Sequence, residues 1–466
     1  MSRENELAKN TIIIFIGRFC TQFLSFLLLP LYTMLLNTEE YGTVDLIITY
    51  ISLIVPCVTL ELSSALYRFM LDCRENRKET SRIVSFVLSV VTTITVVFCV
   101  LFSLIAKLVN FKYTAYCILL IIASTYSNIA LQLVRGIGNY IAYSIASVII
   151  GGLTVILNVF LLVGMRIGAV GMLLSISCAN LVGTAYALIK CQIWKYINPS
   201  LINKRIAILL LKYSIPLIPN SIIWWIINVS DRTLITFFLG VKANGIYAIA
   251  TKFPSIIMTI YSVFNLSWQE TVALHINDPD GVEFVNSTFN KLIEIFAALT
   301  IGMISIMWFI FPIMINAQYT DAIKYVPILA IGSFFNVLVG MIGAVYVGLK
   351  RTKEIAITSV GAGIINFLIN ICLIRYLGIY AAAISTVIAF LVMSVYRVIS
   401  IKKFFLLKLD IHKILIIAII FAFEISIFYI ENRILNIIGT IIAVGYAIVV
   451  NYSMIQKILF RKKVED

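Results

Sequence analysis

The sequence predicts an all-α polytopic membrane protein of about fourteen transmembrane helices: two pseudo-symmetric six-helix lobes in a parallel repeat, plus two C-terminal helices. Three observations predict it. The 466 residues are 61% hydrophobic and 12% charged, where a soluble chain carries about 25% charged residues. Apolar runs recur from residue 11 to residue 458, and runs of about 20 residues are long enough to cross a bilayer. Barrel strands would instead alternate over segments of about 10 residues. Finally, the chain repeats itself in one order.

The first span, 10–36, is too long for a cleavable signal, carries Arg18 and has no A-x-A site after it, so it reads as a retained helix. The second, 41–70, opens on Tyr41-Gly42 and carries a polar stripe: Asp45, Thr49, Ser52, Pro56, Thr59 and Ser63. Spans 80–106, 113–134, 140–163 and 168–193 complete an N-terminal lobe, 1–193. A basic cytoplasmic linker, 194–212, follows. The C-terminal lobe, 213–402, holds spans 213–240, 243–269, 285–313, 321–349, 354–376 and 379–402. Spans 413–431 and 434–458 and a basic cytoplasmic tail make up 403–466. The longest loops are 71–79, 194–212, 270–284 and 403–412, so no extramembrane domain fits.

The repeat relates the two lobes. Leu36 to Ile47 align with Leu239 to Ala250 without a gap, Gly42 falling on Gly245, and Ser147 to Asn158 align with Ser359 to Asn370. Each copy holds an even number of helices, so the halves share one topology about an axis along the membrane normal. Orientation follows from Lys and Arg. Arg74, Arg77, Lys78, Lys195, Lys204, Arg205, Lys350, Arg351, Lys402 and Lys403 fall in one set of loops, which places both termini in the cytoplasm. In a cysteine-free background, Thr38→Cys is expected to react with a membrane-impermeant thiol reagent in intact cells, and Ser200→Cys is not. The reverse pattern inverts the orientation.

Charges inside the spans are expensive, roughly 3 kcal/mol or more each if they face lipid. Ser221, Trp224/Trp225, Asn228 and Asp231/Arg232 recur at helical spacing in span seven, and Arg18, Thr21/Gln22 and Ser25 do so in span one. Span eight repeats the stripe with Lys252, Ser255, Thr259, Ser262, Asn265 and Gln269. These faces are expected to turn inward to a water-filled, net-cationic cavity between the lobes. The candidate substrate-binding residues are Arg18, Gln22, Arg68, Trp224, Asn228, Arg232, Lys252 and Ser255; the candidate ion-coupling carboxylates are Asp45, Asp231 and Glu61. Glu61 and Arg68 lie seven apart and either pair with each other or line the cavity. Asp45 has no basic residue within two helical turns, so it is the first choice for coupling; a carboxylate there could take up and release a proton. Glu294, after Lys291, reads as interfacial, and Glu424 has no local partner. Asn158 and Asn370 read as helix–helix hydrogen bonds.

Other chemistries are disfavoured. The net charge of +14 lies in alternate loops rather than one basic tract, which argues against nucleic acid. Eight cysteines are scattered, none as CxxC, and there are two histidines, so neither a metal nor another cofactor is expected. A sugar polymerase or ligase would need a sizeable outer loop, and none exceeds about 10 residues. The chain is therefore not expected to be an enzyme.

Tyr41-Gly42, "ELSSALYRF" (61–69), "SDRTLI" (230–235) and "GIYAIATKF" (245–253) carry a resemblance to the oligosaccharide flippases, or polysaccharide transporters, of the multidrug, oligosaccharidyl-lipid and polysaccharide exporter superfamily. The resemblance implies a multi-pass protein of the bacterial cytoplasmic membrane. It would move an undecaprenyl-diphosphate-linked oligosaccharide to the outer leaflet for capsule, O-antigen or similar surface polysaccharide, by alternating access. It implies membrane lipids, a proton or sodium ion and polymerase machinery as partners, and a lipid-tail groove on the last two helices. Arg suits a diphosphate because it clamps phosphate oxygens bidentately. Lipid II flippases and multidrug exporters of the same superfamily are the alternatives; the latter would favour an acidic cavity.

Overall fold

The computed structural model describes residues 26–74, 76–276 and 278–461. Among the described residues the elements are helical, and 13 helices are long and apolar enough to cross a membrane. Of span 10–36 only the end is described, as α1 (Leu29–Leu35). Arg18, Gln22 and the tail lysines Lys462 and Lys463 lie outside the described residues. The chain divides between Val229 and Ser230 into two compact units.

In the first unit, α2 (Thr38–Thr59) starts at a capping box. Asn37 Oδ1 accepts from the Glu40 amide at 2.9 Å, and Glu40 Oε2 accepts from the Asn37 amide at 3.1 Å. The expected span 41–70 is not one helix. Pro56 has no amide hydrogen to continue the ladder, and Leu60 and Glu61 adopt left-handed φ of 48° and 53°. The chain restarts as α3 (Leu62–Asp72). Then come α4 (Arg77–Leu108), α5 (Thr114–Ile137), α6 (Tyr140–Asn158), which runs on as a π-helical turn, and α7 (Gly168–Lys190).

The stretch expected as a linker, 194–212, is largely ordered. Asn203 caps α8 (Lys204–Ser214) by accepting from the Ile206 amide at 2.9 Å. Ile206 and Leu210, one turn apart, drive this helix into the core made by Leu62, Leu66, Met70 and Val84. Pro216 separates it from α9 (Leu217–Leu239).

The second unit contains α10 (Val241–His275), α11 (Gly281–Met314), α12 (Val326–Gly348), α13 (Thr352–Leu377), α14 (Ile379–Ile401), α15 (Ile411–Ile430) and α16 (Arg433–Arg461). The expected loop 270–284 shrinks to five residues because α10 and α11 extend past the apolar run. Gly281 closes that turn: a Cβ there would lie 2.3 Å from the His275 carbonyl oxygen.

The repeat is visible as packing. In the first unit α5 packs on α3 and α7, and α6 packs on α7. In the second, α12 packs on α10 and α14, and α13 packs on α14. The last two helices pack on α11. Glu294, expected at the interface, is buried there: Lys413 of α15 reaches it at 2.7 Å and Lys291 at 3.6 Å. Trp308 Nε1 donates to the Phe428 carbonyl at 3.0 Å. Glu424, 1% exposed, sits against Gly439 of α16, where a Cβ would come within 2.9 Å of Glu424 Oε2.

One buried charge escapes the stripe pattern altogether. Arg397, 2% exposed on α14, is held by neutral groups alone. Nη1 donates to the Val339 carbonyl at 2.8 Å, Nε to Thr358 Oγ1 at 2.9 Å, and Nη2 to the Ile355 carbonyl and Ser359 Oγ at 3.2 Å each. It thereby ties α12, α13 and α14 together. Arg397→Met would orphan two buried carbonyls, and is expected to cost roughly 2–4 kcal/mol; thermal unfolding of detergent-purified protein checks this.

Candidate functional site

The polar residues gather in two places, one in each unit. In the first unit the break after α2 places Glu61 between two helices. Its Oε2 accepts from Ser64 Oγ at 2.8 Å, and its Oε1 accepts a short hydrogen bond from Ser221 Oγ. One turn further along α9, Trp225 Nε1 donates to the Thr49 carbonyl at 2.9 Å, and its ring tilts against Tyr50 at 5.7 Å. Two left-handed non-glycine residues cost of order 1–2 kcal/mol each, and the strain turns a carboxylate toward the first half of α9. Asp45 lies half-buried on the same α2.

Arg68 does not join Glu61. It lies exposed on α3 and chelates Asp72, one turn away, with Nη1 at 2.8 and 2.9 Å from the two carboxylate oxygens. A partner four residues along the helix is closer than one seven along. The side chains of Trp224 and Asn228 lie outside the described residues.

In the second unit Asp231 is 5% exposed and ringed by neutral donors. Asn370 Nδ2 donates to Oδ1 at 2.8 Å; Thr386 Oγ1 and Tyr247 Oη donate to Oδ2 at 2.9 and 3.0 Å. The ring draws on α10, α13 and α14. Asn366 Nδ2 donates to Thr386 Oγ1 at 3.1 Å, which adds a further layer. Asn370 Oδ1 and Asn366 Oδ1 are buried without a hydrogen-bond partner. A carboxylate, a hydroxyl and two uncommitted amide oxygens are hard donors, suited to a proton or a small hard cation. Among the described residues no three His, Cys, Asp or Glu side chains gather into a metal cluster.

The neighbouring Arg232 extends its Nη2 to Thr251 Oγ1 at 3.5 Å on α10. Lys252, the next residue, is half-buried, and Ser255 Oγ donates to the Lys252 carbonyl at 2.6 Å. Arg232 thus reaches the turn of α10 on which Lys252 stands. Asn370 makes the interhelical bond expected of it. Asn158, its repeat equivalent, instead donates to the Thr154 carbonyl on its own helix at 2.8 Å, leaving a buried Oδ1 without a partner. Helical periodicity places Asp231 in the stripe and Asn370 in an interhelical hydrogen bond, but joins neither to the other nor to Thr386. The only signal was an Asn and a Thr inside otherwise apolar spans, far along the chain.

A family model described as "Polysaccharide biosynthesis protein" matches residues 7–268. Among solved structures, the chain is similar to the lipid II flippase MurJ in an inward closed conformation, with TM-score 0.72 and 15% identity over 96% of this chain and 100% of that one. It is also similar to an inward-facing multidrug resistance MATE family transporter of the MOP superfamily, with TM-score 0.64 and 11% identity over 82% and 95% of the two chains. A MOP superfamily transporter from Pyrococcus furiosus matches with TM-score 0.57 and 14% identity over 85% of this chain and 95% of that one. At these identities the likeness is one of fold. A comparison with curated proteins gave no match.

Proposed function

Because the chain belongs to the polysaccharide biosynthesis protein family, we propose that it is a flippase carrying an undecaprenyl-diphosphate-linked oligosaccharide across the bacterial cytoplasmic membrane, by alternating access, for surface polysaccharide such as capsule or O-antigen. The observation that carries this reading is the arrangement around Asp231. One buried carboxylate accepts hydrogen bonds from neutral groups, while the guanidinium of the adjacent Arg232 reaches the turn of α10 whose sequence carries Lys252. The enclosed carboxylate suits a coupling proton or sodium ion, and the cations suit a diphosphate. Asp231 is accordingly preferred over Asp45 and Glu61 as the coupling group. Glu61, satisfied by two serine hydroxyls at a helix break, suits hydrogen bonding to sugar hydroxyls when those serines turn away. Arg18, Gln22, Trp224 and Asn228 continue the stripes and are assigned with them to the substrate path. The protein supplies positioning and charge and carries out no bond-making step.

Lipid II is the second reading, favoured by the fold shared with MurJ across 96% of this chain. Reconstitution in vesicles distinguishes the two. Fluorescent undecaprenyl-diphosphate-linked oligosaccharide and lipid II are loaded in separate vesicle preparations, and transfer between leaflets is followed by quenching of the outer leaflet. Faster transfer of the oligosaccharide is expected. Transfer of lipid II alone would move the substrate to wall precursor; movement of a cationic dye with neither lipid would make the protein a drug exporter.

A further inference from the structure

The connection between α7 and α9 presents a face that the transport path does not use. On α8, Ile206 and Leu210 are buried in the core of the first unit. The side turned away from them carries Arg205, Ile208, Leu209 and Lys212, at positions i, i+3, i+4 and i+7 of one helical face. All four are exposed, Ile208 at 54% and Leu209 at 49%. Ahead of the helix, Trp194 is 57% exposed beside the exposed Lys195.

This mixture of side chains fits one environment. In water, the isoleucine, the leucine and the tryptophan would form a wetted apolar patch. Deep in hydrocarbon, the arginine and the lysines would be stranded charges. At the headgroup level both kinds are satisfied: apolar side chains enter the acyl boundary, and the long basic ones reach outward from it. The depth of the segment agrees. Ser85 Oγ of α4 donates to the Tyr196 carbonyl at 3.2 Å and accepts from the Asn198 amide at 2.7 Å, and Arg77 Nη2 donates to the Lys195 carbonyl at 3.3 Å. Residues 195–198 are thereby fixed beside the place where α4, a membrane-crossing helix, passes from the charged stretch 77–82 to the apolar run that begins at Ile83. Trp194 adjoins them, at the depth where aromatic belts form.

Charge selects the lipid. No Asp or Glu occurs between Glu79 and Asp231. Among the described residues, Lys195, Lys204, Arg205 and Lys212 form no ion pair. Four cations without an acid partner, at the rim of a bilayer, complement an anionic headgroup layer.

We propose that residues 193–215 form a docking surface for acidic phospholipids, which anchors α8 to an anionic leaflet. The assignment rests on this face alone and not on what the protein transports.

The test places a bimane fluorophore at Ile208→Cys in a cysteine-free full-length chain, reconstituted in phosphatidylcholine nanodiscs. Phosphatidylglycerol or phosphatidylcholine carrying a nitroxide on its acyl chain is titrated in, and quenching is read. Both lipids should quench, the acidic one at concentrations about tenfold lower. Arg205→Gln should cut this preference about fivefold, the weight of one cation at an anionic surface, and Arg205→Lys should restore it. Salt at about 1 M, where the screening length falls to about 3 Å, should reduce the preference of the unaltered face, a measurement that needs no charge variant to fold. Equal quenching by the two lipids overturns the proposal, because the face would then meet lipid without reading its charge. Quenching by aqueous iodide and by neither lipid also overturns it, and would leave the face to a soluble partner. So does a preference that neither Arg205→Gln nor salt diminishes. Because the readout is lipid contact, failure here leaves the flippase reading standing, and absence of flipping leaves this surface standing.

Discussion

Asp231→Asn is expected to separate transport from its driving gradient. The carboxylate accepts from three neutral donors at 2.8 to 3.0 Å. An amide keeps the shape and one acceptor oxygen, but it cannot titrate and carries no charge for a cation. In reconstituted vesicles, an imposed proton or sodium gradient should speed wild-type flipping and leave the variant unmoved, a difference of about tenfold or more, equivalent to roughly 1.4 kcal/mol of lost differential binding. The amide nitrogen also turns a donor toward Asn370 Nδ2, so the folded state should lose about 1–3 kcal/mol. Asp45→Asn is the control. A gradient response that survives Asp231→Asn and vanishes in Asp45→Asn would move coupling to the first unit.

The second large effect concerns the cations. Arg18→Ala and Lys252→Ala are each expected to abolish surface glycan with the protein still inserted, as read by glycan staining and membrane immunoblotting. Arg18→Lys separates two causes. Recovery means the site reads charge; failure means it reads the planar, bidentate guanidinium. Normal export by both alanine variants would remove the anion cradle from the mechanism.

Much of the fold was legible because the bilayer forces it: any spanning segment must satisfy its own backbone, so apolar runs become helices. The discrepancies have identifiable physical causes. Leu60 and Glu61 take left-handed backbone without a glycine to announce it, so only Pro56 hinted at a break in the second span. The linker helix Lys204–Ser214 is short, and its burial of Ile206 and Leu210 depends on residues more than a hundred positions earlier. The polar stripes could be seen, but their partners could not. Helical periodicity places Asp231 on a face and says nothing of Asn370 or Thr386, which only packing brings to it. Arg397 went unnoticed for a related reason: a single arginine in an apolar span has no periodic companion, and its partners are mostly backbone carbonyls and hydroxyls.

The contact between Glu424 and Gly439 has an evolutionary consequence. The two positions share one small volume, so a side chain at 439 requires the Glu424 carboxyl group to move aside. A homologue that carries alanine or serine at the place of Gly439 must shorten or withdraw the acid opposite it, and one that replaces the acid with a small residue frees the glycine to vary. In a family comparison these two sites should change in pairs, and the pairing would mark which chains keep a carboxyl group inside the terminal hairpin.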